Sequence, residues 1–257
     1  MSSGAMYTAV TGTAAQQARI DVVANNLANL GTIGFKRMRA QFEDLLYETV
    51  RTPGAEGEPP TGVQFGRGSR LVATQQVFTP GSLRQTEQAL DFAIDGDGFF
   101  AVRKQNGDIA YTRNGTFALD SNGNLVNAQG LLLDPPITIP EDTLQVHVSA
   151  DGRVSVRQPG SADLSEVGRI QLTRFQNAGG LEAIGDNLVR ETPSSGIPIT
   201  GDPGNEAFGQ IKQGMLEESN VNIAEEMVAM ILAQRAFEAN TRVINSADEM
   251  LRFVTQR

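Results

Sequence analysis

Asn222-Ile-Ala-Glu-Glu-Met-Val-Ala-Met-Ile-Leu-Ala-Gln-Arg-Ala-Phe-Glu-Ala-Asn-Thr241 decides how the rest of the chain is read. It lies in a run, residues 215–257, that contains neither Gly nor Pro. In a helix interior these residues cost about 1 and about 3 kcal/mol relative to Ala, so the run predicts one long helix. Asn222 is a natural cap, Glu225 completes a capping-box pattern, and Glu225 with Glu226 sets negative charge in the first turn, where the helix dipole favours it. Beyond the cap, Ile223, Met227, Met230, Gln234, Phe237, Thr241, Ile244, Asp248 and Leu251 recur at alternating steps of four and three. That is a heptad seam softened by polar members.

The other end of the chain repeats the pattern. Residues 5–30 hold only Gly12 and no Pro, and Met6, Val10, Thr13, Gln17, Ile20, Ala24 and Leu27 keep the same spacing, flanked by Val23 and Leu30. Two long helices with matching, half-polar seams at opposite ends of a chain suit each other better than they suit a large apolar core. The middle reads differently. Asn106-Gly107, Asn122-Gly123 and Asp151-Gly152 each separate two short alternating runs: Phe99–Val102 from Ile109–Thr112, Thr116–Leu119 from Leu125-Val126, and Val146–Val148 from Val154–Val156. Such dipeptides supply the positive φ that tight hairpin turns require. Further strands are expected at Gly168–Phe175 and Asn187–Glu191.

Two stretches rich in breakers join these parts. Residues 52–68 hold three Pro and five Gly, and residues 192–209 hold three Pro and four Gly, which marks linkers or extended excursions. The expected architecture is α+β and multidomain: terminal helices paired as a coiled-coil-like domain, with an inserted all-β domain of hairpins. In residues, 1–35 is the N-terminal helix of the helical domain, 36–80 an extended linker and excursion, 81–191 the β domain, 192–214 a second linker and 215–257 the C-terminal helix.

Composition narrows the chemistry. The 257 residues carry 21 Lys plus Arg against 30 Asp plus Glu, a net charge of −9, which leaves no basic footprint for nucleic acid. Zero Cys and a single His remove disulfides, thiolate sites and most metal or triad chemistry. No apolar run reaches the roughly 20 residues of a bilayer span, and the first residues lack the pattern of a cleaved secretory signal. Asp91, Asp95 and Asp97, and again Asp120, Asn122 and Asn124, fail the spacing of a calcium loop, because Phe99 and Leu125 stand where ligand and Gly belong. His147 alternates with Val146 and Val148 along a strand. Lys36, Arg37 and Arg39 either serve the end of the first helix or pair with the acidic C-terminal region. The chain is therefore read as a structural protein, not an enzyme, with no catalytic, cofactor-binding or metal residues. A secreted β-rich glycan-binding module is the rival from another class.

Ala24-Asn-Asn-Leu-Ala-Asn29 with Thr32, Gly34, Phe35 and Lys36 resembles the start of the bacterial flagellar rod and hook family. Leu90-Asp-Phe-Ala-Ile-Asp-Gly-Asp-Gly-Phe-Phe100, Tyr111-Thr-Arg-Asn-Gly-Thr-Phe117, Ser219-Asn-Val-Asn222 and Ala233-Gln-Arg-Ala-Phe-Glu-Ala-Asn240 resemble its later motifs, in order and end to end. The motif residues at the N-terminus are Asn25, Asn26, Leu27, Asn29, Thr32, Gly34, Phe35 and Lys36. Phe42-Glu-Asp-Leu-Leu-Tyr47 and the excursion to Gly68 resemble the distal rod branch, with proximal rod and hook branches as alternatives.

The resemblance implies a helical homopolymer, hollow and rigid, that crosses the periplasm and carries motor torque to the hook. It implies export by the flagellar type III apparatus. Partners would be further copies of the chain, proximal rod proteins, the hook protein and the surrounding basal-body rings, with no cofactor. Polymerisation would fall to Met6, Val10, Ile20, Val23, Leu27, Leu30, Ile223, Met227, Met230, Phe237, Ile244 and Leu251. Contacts from the excursion would fall to Phe42, Leu45, Leu46, Tyr47, Pro53, Pro59, Pro60 and Phe65. Gln234, Glu238, Thr241 and Asn245 are expected to face the central channel.

Overall fold

The computed structural model describes residues 2–52, 61–160, 163–205 and 207–255. The chain forms two units: residues 1–28, 38–76 and 222–257 make one, and residues 29–37 and 77–221 make the other.

In the first unit, α1 (Ser2–Ala28) and α2 (Ile223–Thr255) pack along each other. At ~1.5 Å per residue they extend about 40 and 50 Å. Asn26 Nδ2 donates to Glu226 Oε2 at 3.2 Å, and a methyl group on Gly12 would stand 2.8 Å from Asn240 Nδ2. From Gly12 to Asn26 is fourteen residues forward (26 − 12), and from Asn240 to Glu226 fourteen back (240 − 226), so the helices run antiparallel and in step. The cap on α2 forms as expected: Asn222 Oδ1 accepts from Ala224 N at 3.0 Å.

The inside of the pair is built from smaller and more polar residues than hydrophobicity suggests. Ala9, Ala15, Val23 and Asn26 are buried on α1, and Glu226, Ala233 and Ala247 on α2, with Asn240 half-buried at the same seven-residue interval. Of the seam read from the sequence, Met230, Phe237, Thr241, Ile244, Asp248 and Leu251 are half-buried, whereas Ile223, Met227 and Gln234 face outward. The first turns of the true seam are one position away, on Glu226. Small residues let two backbones approach, and Ile223, Met227, Val228, Ile231 and Leu232 are left outside. On α1, Met6 and Ile20 are half-buried and Val10 and Leu27 exposed.

The stretch expected to be an extended linker is instead an antiparallel ribbon. β1 (Met38–Asp44) pairs with β4 (Ser69–Gln76), from Met38 opposite Gln76 to Asp44 opposite Ser69. The ribbon continues as β2 (Tyr47–Arg51) on β3 (Val63–Gly66), with Tyr47 opposite Gly66. Every residue of β2 and β3 is exposed. Pro53, Pro59 and Pro60 lie outside the described residues.

The second unit holds the core. β5 (Leu83–Gln85) pairs with Met215–Glu217, and β6 (Phe92–Asp95) pairs with Gln210–Gln213. The largest sheet is organised on β7 (Phe99–Arg103), which pairs with β8 (Ile109–Thr112), with Leu132–Asp134 and, at its start, with Leu172–Arg174. Successive side chains of a strand point to opposite faces. Phe100 and Val102 thus join the main core with Phe92, Ile94, Phe117 and Leu133. Phe99 and Ala101 join a second cluster with Tyr111, Phe175 and Val189. Edge-to-face contacts stiffen both: Phe100 to Phe117 at 5.4 Å and Tyr111 to Phe175 at 4.8 Å between ring centroids.

The three Asn-Gly and Asp-Gly hairpins are present, as are strands at Gln145–Val148, Arg153–Arg157 and Leu188–Arg190. Three boundaries differ from the reading of the sequence. Gly168–Phe175 is not one strand: Ser165–Arg169 and Leu172–Arg174 belong to different sheets. The presumed linker 192–214 contributes Ile199–Gly201 and Gln210–Gln213 to the β unit. Residues 215–217, read as part of the last helix, are a strand, and α2 begins at Ile223.

Candidate functional site

Two features stand out once the fold is laid down. The first is a polar node inside the β unit. Glu217 ends the strand Met215–Glu217 and is fully enclosed. Its Oε1 accepts from Lys36 Nζ at 2.6 Å and from Gly81 N at 2.9 Å, its Oε2 from Arg113 Nη1 at 3.3 Å, and its main-chain oxygen from Gly34 N at 2.7 Å. Lys36 Nζ also donates to Thr79 O, and Arg113 Nη2 to Gly96 O, with the guanidinium 5.4 Å from the Phe99 ring centre. Gly34 has φ +69, and a Cβ there would lie 2.6 Å from the Arg113 carbonyl carbon, so only Gly permits this approach.

Burial pulls the Lys36 ammonium below the ordinary lysine range, Glu217 opposes that shift, and Arg113 adds to it. Burial likewise lowers Arg113, opposed by Glu217 and Asp97. Two cations on one enclosed carboxylate hold together only while the carboxylate is there. Lys36 therefore pairs with the acidic C-terminal region, one of the two roles expected of the basic cluster. The node could not be read from the sequence, because its partners lie 181 and 104 residues apart.

The family-motif residues divide between the two units. Asn26 is buried in the helical unit, where its side chain bonds both Met38 N (2.8 Å) and Met38 O (2.9 Å), so α1 grips the first residue of the ribbon. Asn29 and Thr32 form the turn that follows, through Thr32 N to Asn29 O (3.1 Å) and Thr32 Oγ1 to Asn29 Oδ1 (3.1 Å). Gly34 and Lys36 enter the node, Phe35 is half-buried, and Asn25 and Leu27 are exposed.

The second feature is what the helical unit leaves uncovered. Ile223, Met227, Val228, Ile231 and Leu232 form an exposed apolar face on the first turns of α2, with Leu232 at 58%. Tyr7 and Val10 are similarly exposed on α1. On the ribbon, Phe42, Tyr47 and Phe65 are exposed and Leu46 stands at 90%, while Leu45 and Leu46 line, with Tyr7 and Arg67, an open groove of about 430 Å³. Gln234, Glu238 and Asn245 are exposed, whereas Thr241 is half-buried and donates to Phe237 O at 3.0 Å.

The polar groups weighed as chemistry have structural employment. Asp120 Oδ1 accepts from Asn122 N and Asn124 N at 2.8 Å each, and these bonds, Asn124 foremost, lower its pKa. Asp91 Oδ2 accepts from Thr86 Oγ1. His147 sits exposed between half-buried Val146 and buried Val148, opposite Ser155. Among the described residues no three His, Asp or Glu side chains are grouped to hold a metal ion, and no helix is long and apolar enough to cross a membrane.

Comparison with known proteins matches three segments in order. The flagella basal body rod protein model covers residues 6–36, the flagellar hook protein FlgE/F/G D1 domain covers 93–156, and the flagellar basal body rod FlgEFG C-terminal model covers 212–257. The flagellar basal-body rod protein FlgG of Borreliella burgdorferi is 47% identical over 253 residues, 96% of each chain. FlgG of Caulobacter vibrioides is 42% identical over 257 residues, 98% of each. FlgF of that same organism is 33% identical over 261 residues, covering 98% of this chain and 97% of its own. Where one organism supplies both paralogues, the likeness is greater to FlgG, and at such identity over nearly the full length the chain belongs to the FlgG family of flagellar basal-body rod proteins.

Proposed function

We propose that the chain is the structural subunit of the flagellar distal rod, polymerising helically into a hollow, rigid shaft that crosses the periplasm and passes motor torque to the hook. The observation that carries this reading is the inversion of the helix pair. Its buried seam is made of Ala, Asn, Glu and Val23, while Ile223, Met227, Val228, Ile231 and Leu232 stand exposed together on α2. A chain that functioned alone would gain by burying these; at about 25 cal/mol per Å² of apolar surface, such a face is a strong contact in waiting. Repetition of one head-to-tail contact that does not close generates a helical filament. In it α1 and α2 act as a coiled-coil-like pair whose outward face is covered by neighbouring copies.

The ribbon of β1 to β4 supplies the stiffness. Tyr47, Phe65 and Leu46 have no cover within the chain's described residues at their level of exposure, and their natural partners are adjacent subunits, where they restrict sliding. Gln234, Glu238, Thr241 and Asn245 line the central channel, where a polar wall lets export substrates pass. The subunit leaves the cell body through the flagellar type III apparatus and meets the proximal rod, the hook and the surrounding rings. Electron microscopy of the purified full chain over a concentration series tests the reading: straight hollow filaments are expected. Deletion of residues 48–66 should yield bendable ones, and a chain that stays monomeric at every concentration, with or without a rod template, overturns it.

A further inference from the structure

The lacing around Glu217 extends beyond ion pairs. Residues 33–37, which follow α1, and residues 217–220, which precede α2, are stitched together at several points. Gly34 N donates to Glu217 O, Lys36 binds the Glu217 carboxylate, and Arg37 N donates to Asn220 Oδ1 at 2.7 Å. Asn220 Nδ2 reaches Val77 O at 2.8 Å and Thr79 Oγ1 at 2.9 Å, tying in a third segment. Val77 N donates to Arg37 O at 2.9 Å, and Asn187 Nδ2 holds Ile33 O. All of these bonds lie within the β unit, none on a helix.

Glu217 and Phe78 are fixed without the lacing, since Met215–Glu217 is paired to β5 and Phe78 stacks edge-on against Phe99 at 5.2 Å. The strap 33–37 has no strand of its own to hold it. It is held by these side-chain and main-chain bonds, by Lys36 Nζ donating to Thr79 O at 2.7 Å and by the turn bond from Phe35 N to Thr32 O at 3.2 Å.

We propose that this lacing is a tether that primes the pairing of the terminal helices: it pins the chain just after α1 beside the chain just before α2, so that the helices close over a short connection instead of a long one. With the strap fastened, roughly 10 residues separate Ala28 from Asn222 along the free path; released, the path runs to Met38, across the base of the ribbon to its partner Gln76 and on to Phe78, and lengthens to roughly 17, so a closure probability falling as the three-halves power of length changes by about twofold. The inference concerns the single chain and does not depend on the polymer reading. Lys36 and Asn220 are positioning residues in it. Arg113, which neutralises Glu217 from within the unit, is what lets the strap be released without emptying the node.

The test is amide hydrogen exchange on the dilute, monomeric full chain, comparing the parent with the double variant Lys36→Met, Asn220→Ala. Amides of α1 and α2 are expected to exchange about twofold faster, while those of Phe92–Val102 keep their parental rates. Unchanged helix exchange, or an equal acceleration everywhere, overturns the proposal. Should the double variant fail to fold, a ten-residue Gly/Ser insertion after Gly31 touches no laced residue, doubles the free path, and should speed exchange in both helices about threefold. No change there overturns it as well.

Discussion

The β unit and the helical unit use the same amino acids in opposite ways. In the first, Phe92, Phe100, Ile94, Leu133, Ile170 and Leu172 are sealed at 2% exposure or less, and even its charged residues are drawn inside as a closed set on Glu217. In the second, the sealed positions go to Ala, Asn, Glu and Val23, and Ile223, Met227, Ile231 and Leu232 of α2 and Leu46, Tyr47 and Phe65 of the ribbon look outward. One unit is complete in a single chain. The other, on the proposed reading, is half of a contact, and its stability is expected to depend on how many copies surround it.

The contrast can be broken first where it is strongest. Phe100→Ala, which opens a cavity against Phe117 at the centre of the main core, should cost the β unit about 3–5 kcal/mol in denaturant unfolding. A loss under about 1 kcal/mol would mean that this core is not what holds the unit. Glu217→Gln should cost about 3 kcal/mol or more, because two buried cations keep their positions and lose their acid. The triple change Lys36→Met, Arg113→Met, Glu217→Leu should restore most of it, since apolar replacement of a buried ion set is often neutral.

A third change should move one unit's behaviour and leave stability alone. Ile231→Ser with Leu232→Ser should alter monomer unfolding by no more than about 0.5 kcal/mol while raising the concentration needed for filaments, read by sedimentation. A large loss of monomer stability would show that this face is already in use. The smallest effect is a pH signature confined to the β unit. Burial, with Glu191 and Asp134 nearby, pushes the Tyr111 phenol up to about 12 from 10. A raised phenol contributes stability that is complete below pH 10 and is lost as pH climbs from 10 towards 12, because the unfolded chain ionises first. Tyr111→Phe should flatten that alkaline decline and remove a spectrophotometric titration step near pH 12.

Local signals in the sequence were enough for the elements whose physics is local. The missing Gly and Pro announce α1 and α2, Asn222 announces the cap, and Asn106-Gly107 announces its hairpin, because each is decided within a few residues. What escaped depends on distance. Residues 215–217 look helical by composition, and only pairing with Leu83–Gln85 makes them a strand. The break at Ile170-Gln171 follows from two sheets competing for neighbouring residues. The seam of α2 was read from its apolar spacing, which finds the half-buried Met230, Phe237, Ile244 and Leu251 but misses Glu226 and Ala233, whose burial carries no apolar mark. The partners of Glu217, Lys36 and Arg113, carry no local mark in the sequence.

The antiparallel register of α1 and α2 has a consequence for topology. Since Gly12 meets Asn240 as Asn26 meets Glu226, the first turn of α1 and the last turns of α2 come to the same end of the pair. The polypeptide therefore leaves and returns at one place, like a loop of cord held in one hand. A short peptide bridge joining those ends, with the chain reopened at the exposed Asn106-Gly107 turn, would redraw the order of the sequence while leaving its contacts where they are.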